Sequence, residues 1–336
     1  MVSVRGMRMG RFGGPGVLEA VELPEPVAGP GEVVIGVSYA DVIFMETQVR
    51  RGEGFFTPPL PHVPGGAVGG RVVAAGAGVE EAWVGRTVVA RTLAPEGVAA
   101  GGGYAERARA DVAELSALPY ALGLREATAL AHDGPTAVRI FDNAVSDGSL
   151  RPGARVLVLA AAGGLGALLV QLAKAAGAQV IAAARGEHKL ALAARKLGAD
   201  EVVDYSLPDW TDRVLQATGG RGVDVVFDGA GGKRGREALE TTARGARFSA
   251  HGAPGGGFAE IGPGLAAERG VTLVGIEQVQ LTPDEYKPLL DRALFEAAAG
   301  RLRPVIGQTF PLTAAPEAHE AVESRAVLGK TLLTVE

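Results

Sequence analysis

The chain of 336 residues contains no cysteine. Disulfides, cysteine nucleophiles and cysteine-ligated zinc are therefore excluded from the start. Aromatic residues make up only 5%, so the core must be filled mainly by Ala, Val and Leu, as in tightly packed α/β layers with buried sheets. No apolar run reaches the roughly 18 residues of a membrane-spanning helix. Residues 1–16 carry Arg5, Arg8 and Arg11 but not the apolar stretch of a secretion signal; the expected location is the cytoplasm. A net positive balance is lacking too: the formal net charge is -5, which gives no basic footprint for nucleic acid.

What the chain has in quantity is glycine, 50 residues of it, and enough length for two domains. Between 17 and 118 short β-type runs (32–37, 70–75, 87–91) are punctuated by Pro and Gly, the spacing of a compact β-rich barrel with no sustained helical period. A helical pattern covers 124–144. From 155 onward apolar strands and amphipathic helices alternate (156–159, 165–176, 180–184, 189–197, 201–203), which is βαβαβ and predicts a parallel sheet. The alternation continues through 209–217, 223–228, 234–243 and 247–250, and a Gly/Pro-rich stretch at 252–264 interrupts it. A strand at 271–276, helices at 284–299 and 316–323, and a strand at 330–335 complete the chain. The last elements are expected to return to the first domain. The predicted division is a β-rich catalytic domain of 1–124 and 269–336, with 125–268 inserted as a Rossmann doubly wound parallel-sheet domain and the cleft between them as the natural ligand site.

After the strand at 155–159 comes Ala160-Ala161-Ala162-Gly163-Gly164-Leu165-Gly166, leading directly into a helix. This is the dinucleotide fingerprint with Ala161 in place of its first glycine. Gly163 lets backbone approach a pyrophosphate, Gly166 lets helix pack on strand, and the helix N-terminus of Gly164 and Leu165 offers N–H groups to the anion. A glycine cluster alone is weak, but the flanking strand, helix and second strand supply the context the motif requires. Where NAD enzymes place an acid at the end of the second strand, this sequence has Arg185, then Lys189. Cations there suit a 2′-phosphate, so the expected cofactor is NADPH. Asp228, at the end of a later strand, either lines the cofactor cleft or caps the following turn.

Several segments together resemble the zinc-independent quinone oxidoreductases of the medium-chain dehydrogenase/reductase superfamily. They are Gly13-Gly14-Pro15-Gly16-Val17-Leu18, Val37-Ser38-Tyr39-Ala40-Asp41, Pro61-His62-Val63-Pro64-Gly65-Gly66, Gly103-Tyr104-Ala105-Glu106, Gly134-Pro135-Thr136-Ala137, the glycine cradle, Leu197-Gly198-Ala199-Asp200 with Asp204-Tyr205, and Glu323-Ser324-Arg325. The resemblance implies a GroES-like catalytic domain, and a homodimer joined through the edges of the nucleotide-binding sheets, with 271–276 as the candidate edge strand. It also implies that Lys189, Tyr205 and Arg325 surround the 2′-phosphate, a cluster of donors suited to a dianion, and that Thr136 lies near the nicotinamide half. Two departures stand out. Ser38 occupies a position where the family usually carries Asn, and the stretch Phe44–Arg51 is longer than usual.

In zinc alcohol dehydrogenases of that superfamily a Gly-His-Glu segment serves metal ligation; here the stretch is Gly65-Gly66-Ala67. Alcohol oxidation needs a Lewis acid to hold the developing alkoxide, whereas a quinone or conjugated enone delocalises the charge that hydride brings. The expected function is thus metal-free hydride transfer from NADPH to a small-molecule quinone or enone, with the protein chiefly orienting the reactants. Ser38 and Tyr39 are the candidate proton donors and Asp41 a candidate orienter; a core aromatic at Tyr39 and a helix N-cap at Asp41 are equally open. The histidines have no metal spacing, and His132-Asp133 without a serine elbow is no hydrolase triad. An enoyl thioester reductase and an NADPH-binding partner protein with little turnover are the alternatives.

Overall fold

The computed structural model describes residues 3–54, 56–92 and 101–335. The first seven strands are β1 (Ser3–Met9), β2 (Leu18–Pro24), β3 (Glu32–Val42), β4 (Ala67–Ala75), β5 (Thr87–Arg91), β6 (Arg107–Asp111) and β7 (Leu115–Ala117). Next come β8 (Arg155–Leu159), β9 (Gln179–Ala184), β10 (Glu201–Asp204), β11 (Val223–Asp228), β12 (Thr242–Ala250), β13 (Thr272–Val274), β14 (Ile306–Pro311) and β15 (Lys330–Thr334). The helices are α1 (Phe44–Arg51), α2 (Leu124–Leu130), α3 (Asp133–Ser146), α4 (Gly164–Ala175), α5 (Glu187–Lys196), α6 (Trp210–Ala217), α7 (Gly232–Ala238), α8 (Pro263–Arg269), α9 (Pro283–Ala298) and α10 (Ala315–Glu323). Among the described residues no helix is long and apolar enough to cross a membrane.

Two compact units result, one of Met1–Pro135 with Thr282–Glu336 and one of Thr136–Leu281. Both divisions fall later along the chain than the sequence boundaries, for packing reasons. Helix α2 brings its Thr128 side chain to Gly69 of β4, which ties it to the first unit. Strand β13 pairs in parallel with β12, which ties it to the second.

The first unit is β-rich. Its main sheet runs β14-β15-β3-β4-β5-β7 with β6 also on β3, and β1 pairs with β2 separately. Val33, Ile35 and Val37 of β3 alternate into a core with Val68, Val72, Val88 and Leu115. That alternation is the two-residue period by which strand side chains share a face. The register of β3 on β4 slips after Val37, which faces Gly70, while Tyr39 faces Gly69. Ser38 is therefore the extra residue of a β-bulge, a device that re-aims side chains. A Cβ on Gly70 would land on the carbonyl oxygen of Gly36, so only glycine lets β4 pass this point. The expectation of no helix between 17 and 118 is corrected by α1. This helix is short and starts from Ile43, whose N–H is capped at 3.1 Å by its own buried Glu46, and it stops at Gly52 with φ 78.

The second unit holds six parallel strands in the order β10-β9-β8-β11-β12-β13. The chain winds outward from β8 to β10, then crosses back to β11 and continues the other way. The order thus reverses between β8 and β11, the topological switch point of a Rossmann sheet. Strands β8, β9 and β11 are buried almost throughout, as parallel strands covered on both faces must be. Trp210 of α6 fills the core beside Val214 and Phe248, and its indole N–H finds Glu237 at 2.9 Å.

Candidate functional site

Strand β8 delivers the chain to a tight turn at the sheet's switch point. Ala160 takes φ 53, a conformation that a residue with a Cβ adopts at a cost, and its carbonyl accepts the Gly163 N–H at 2.9 Å. Because the left-handed residue is Ala160, no such demand falls on Ala161, which is buried with its N–H on Ala183 O at 3.1 Å. Gly163 then starts α4 with no side-chain cap, which leaves the first-turn N–H groups for an anion. Gly163, Gly164 and Leu165 are accessible, and Gly166 is buried. A Cβ on Gly166 would strike the Ala160 carbonyl, so this glycine sets how closely α4 packs on the strand end. On Gly163 a Cβ would meet only that oxygen, at 3.2 Å. Packing leaves room for a side chain there, but an approaching ligand would not.

Strands β9 and β10 end side by side, Ala184 opposite Asp204. Arg185 and Tyr205 follow those residues directly, and Lys189 lies in the first turn of α5. Arg185 is exposed, while Lys189 and Tyr205 are half-buried. The Asp204 carboxylate is engaged by Gly186 N at 3.0 Å and Ser206 N at 2.8 Å. Burial raises its pKa, but these hydrogen bonds and Arg185 outweigh it and hold it below the usual range. Three of the expected phosphate donors are thus grouped at one corner of the sheet. Arg325 belongs to the other unit, exposed with φ 56 after α10, and Thr136 is half-buried in the first turn of α3.

Of the two roles open to Asp228, the structure has the turn cap. Its Oδ1 accepts the N–H groups of Ala230 at 2.9 Å and Gly231 at 2.8 Å, and the side chain is fully buried. Burial pushes its pKa up to about 6, against those two hydrogen bonds. Its influence on a ligand would run through the loop it shapes.

In the first unit Ser38 and Tyr39 are half-buried on β3 and Asp41 is buried. Asp41 is not a helix cap, since α1 begins from Ile43, and neither of its oxygens accepts a hydrogen bond from Ser38 or Tyr39. Its partner is Lys330, whose ammonium forms an ion pair with Asp41 Oδ2 at 2.9 Å and with Asp133 Oδ2 at 3.1 Å. Asp133 in turn lies 3.1 Å from His132 Nδ1. Burial, with help from Asp133, pushes Asp41 up to about 7 against the pull of Lys330. For Asp133 burial works the same way, but Lys330 and His132 outweigh it and hold it at about 2. Asp41 therefore binds a proton in the folded chain at pH values where an unfolded aspartate, near pH 3.9, has lost it. Its contribution to stability is present at low pH and is lost as pH rises toward 7. The free-energy difference between Asp41→Asn and the natural chain is accordingly expected to shift in favour of the variant from pH 5 to pH 7.5, by up to about 1.4 kcal/mol per pH unit. Urea denaturation at several pH values measures it; a difference that stays flat contradicts the assignment.

Comparison with known proteins fits this architecture. Residues 29–120 match the family model described as alcohol dehydrogenase GroES-like domain, and residues 164–294 match that described as zinc-binding dehydrogenase. The quinone oxidoreductase of Rattus norvegicus is 30% identical over 335 residues, 98% of this chain and 97% of that protein. Quinone oxidoreductase 1 of Escherichia coli is 29% identical over 329 residues, 96% and 97% of the two chains. The chain belongs to the quinone oxidoreductase branch of the medium-chain dehydrogenase/reductase superfamily. Among solved structures, the Escherichia coli quinone oxidoreductase complexed with NADPH superimposes with a TM-score of 0.88 at 27% identity, over 98% of this chain and 99% of that one. An NAD-dependent alcohol dehydrogenase reaches 0.87 at 35% identity, over 99% and 100%.

Within this quinone oxidoreductase-branch chain, several buried polar groups went unread in the sequence. Tyr104 is fully buried, donates to Glu46 Oε2 at 2.9 Å and lies 3.0 Å from His319 Nε2. Glu46 also accepts the Gly66 N–H at 2.8 Å. It reaches from the 44–51 segment into the stretch that carries metal ligation in the zinc enzymes, and binds backbone there. Lys330 gave one signal that was overlooked: it is the one charged residue of strand β15.

Proposed function

We propose that the protein is an NADPH-dependent quinone reductase that transfers hydride without a metal to a quinone or conjugated enone. The observation that carries the proposal is the uncapped glycine turn at the switch point of the parallel sheet, with a cluster of cations and a phenol one strand further out. When bound, NADPH supplies the hydride. Gly164, Leu165 and Gly166 hold the pyrophosphate on backbone N–H groups, with Gly163 letting it approach the turn and Ala161 anchoring the turn from below. Arg185, Lys189 and Tyr205 take the 2′-phosphate, joined by Arg325 on the family pattern, and Thr136 serves the nicotinamide half. Ser38, aimed by its bulge, and Tyr39 are the proton donors to the reduced acceptor; Asp41 acts on them only through the strand it anchors. The family description names zinc, but this chain has no cysteine to supply thiolate ligands.

NADPH oxidation with a panel of quinones against conjugated acyl thioesters tests the acceptor. Turnover with thioesters alone would turn the reading to an enoyl reductase, and tight cofactor binding without any turnover would turn it to a binding partner. Lys189→Ala is expected to raise the NADPH dissociation constant by about 10- to 100-fold, the worth of one charge-assisted hydrogen bond, and to leave NADH nearly unchanged. Titration calorimetry measures both, and an equal loss for the two cofactors contradicts the 2′-phosphate assignment. A homodimer joined along β13, the edge strand of the parallel sheet, is part of the same proposal; a monomer by light scattering at micromolar concentration overturns it. So is a cytoplasmic location, suited to a chain without cysteine and checked by cell fractionation.

A further inference from the structure

His251 has no part in the site described so far, yet its placement gives it one. It follows the last residue of β12, and its backbone N–H binds Asp228 O at 3.2 Å, so it stands where β11 and β12 end. Its ring is fixed from behind. Gln278 Nε2 donates to Gly275 O at 2.8 Å and to Ser249 Oγ at 2.9 Å. The first of these bonds settles which way the amide faces, because the reverse would set two oxygens together. The Ser249 hydroxyl also lies 3.2 Å from His251 Nδ1. Burial lowers the imidazole pKa to about 4, partly opposed by a hydrogen bond to the Ser249 backbone, so the ring is neutral in ordinary buffers. Among the described residues Nε2 has no hydrogen-bond partner, and it points to the turn after β8: a Cβ placed on Gly229 would lie 3.6 Å from Nε2 and 3.6 Å from Ala160 Cβ.

A dinucleotide gripped at Gly163 to Gly166 with its adenosine toward β9 and β10 must send its other half across the switch point, toward the ends of β11 and β12. That is the side on which His251 stands. We propose that His251 is a cofactor-binding residue whose Nε2 hydrogen-bonds a ribose hydroxyl of the nicotinamide riboside half, a group able to donate or accept. The proposal rests on the NADPH reading above. Gly229 fits it as well, since the absence of a side chain there leaves open the space between Nε2 and Ala160.

The test compares NADPH with 2′,5′-ADP, which carries the 2′-phosphate but lacks the nicotinamide half, by titration calorimetry on the full chain. His251→Phe keeps a ring and removes its nitrogens, and His251→Gln keeps a hydrogen-bonding group. The expected result is an NADPH dissociation constant about tenfold higher for His251→Phe, the size of one hydrogen bond, with partial recovery in His251→Gln and 2′,5′-ADP binding unchanged. Equal weakening of both ligands, or of neither, overturns the assignment. Should the Phe variant fold poorly, the ¹⁵N resonance of His251 Nε2 in the natural chain decides: it is expected to move with NADPH and stay still with 2′,5′-ADP. No movement with NADPH overturns the proposal. If the natural chain binds neither ligand, the NADPH reading falls first and this inference with it. Binding of both with an indifferent His251 sinks this inference alone.

Discussion

Lys330→Met is expected to lower the free energy of unfolding at pH 8 by about 3–5 kcal/mol, the cost of removing one partner from a buried ionic group. Lys330 is 4% exposed, and Asp41 and Asp133 are 1% and 8% exposed, so water cannot take over the work of the ammonium. The methionine stem fills much of the same space, and the loss is therefore electrostatic rather than a cavity effect. Two carboxyls left facing one another relieve themselves by holding a proton, which raises the pKa of Asp41 still further. A carboxyl raised in the folded state adds stability at low pH that is lost as pH climbs, so the penalty should shrink at pH 5. Adding Asp41→Asn to Lys330→Met should recover part of the loss, because the remaining Asp133 keeps His132 as its partner. Such recovery is the non-additivity expected of groups in contact. Chemical denaturation of the single and double variants at both pH values supplies the numbers. A penalty under about 1 kcal/mol, or one indifferent to pH, would show that the array is not the electrostatic unit described here.

That array shows where the sequence stops being readable. The parallel sheet was legible because strands such as β8 and β11, covered on both faces, must be apolar without a break. The glycine cradle was legible because all its parts are neighbours along the chain. Arg185 and Lys189 could be located for the same reason, as they stand at the end of a strand that the pattern already marks. Asp41, Asp133 and Lys330 carry no such local mark, since only the pairing of β15 with β3 brings Leu332 opposite Asp41 and the lysine beside it. Asp228 stayed undecided in the sequence because a turn cap and a ligand contact ask for the same residue type at a strand end. Helix α1 was missed for another reason. Its N-terminal cap comes from Glu46 acting back on Ile43, without the Ser, Thr, Asp or Asn that announces a helix start. His251 could be numbered but not read, because a lone histidine acquires meaning only from what stands behind its ring.

Gly166→Ala and Gly163→Ala are expected to fail in different ways, and the contrast tests the cradle more sharply than either variant alone. At Gly166 the new methyl would strike the Ala160 carbonyl and press within 3.0 Å of Ala161 Cα. These are backbone atoms, and no rotamer can move them aside. The start of α4 must shift away from the end of β8, which disturbs both the packing and the N–H groups aimed at the pyrophosphate. An NADPH affinity loss of about 100-fold or more, some 2.7 kcal/mol, is expected together with a lowered melting temperature. At Gly163 the methyl has only the Ala160 oxygen near it, at 3.2 Å, so the melting temperature should hold while NADPH binding falls, because the methyl occupies the side from which the anion approaches. Ala161→Gly, which restores the missing glycine of the fingerprint, should change neither property by much, since the left-handed residue of the turn is Ala160. Calorimetric titration with NADPH and thermal melts of the three variants separate these outcomes. If Gly163→Ala binds NADPH as tightly as the natural chain, the pyrophosphate does not lie on this turn, and the hydride chemistry assigned to the protein loses its foundation.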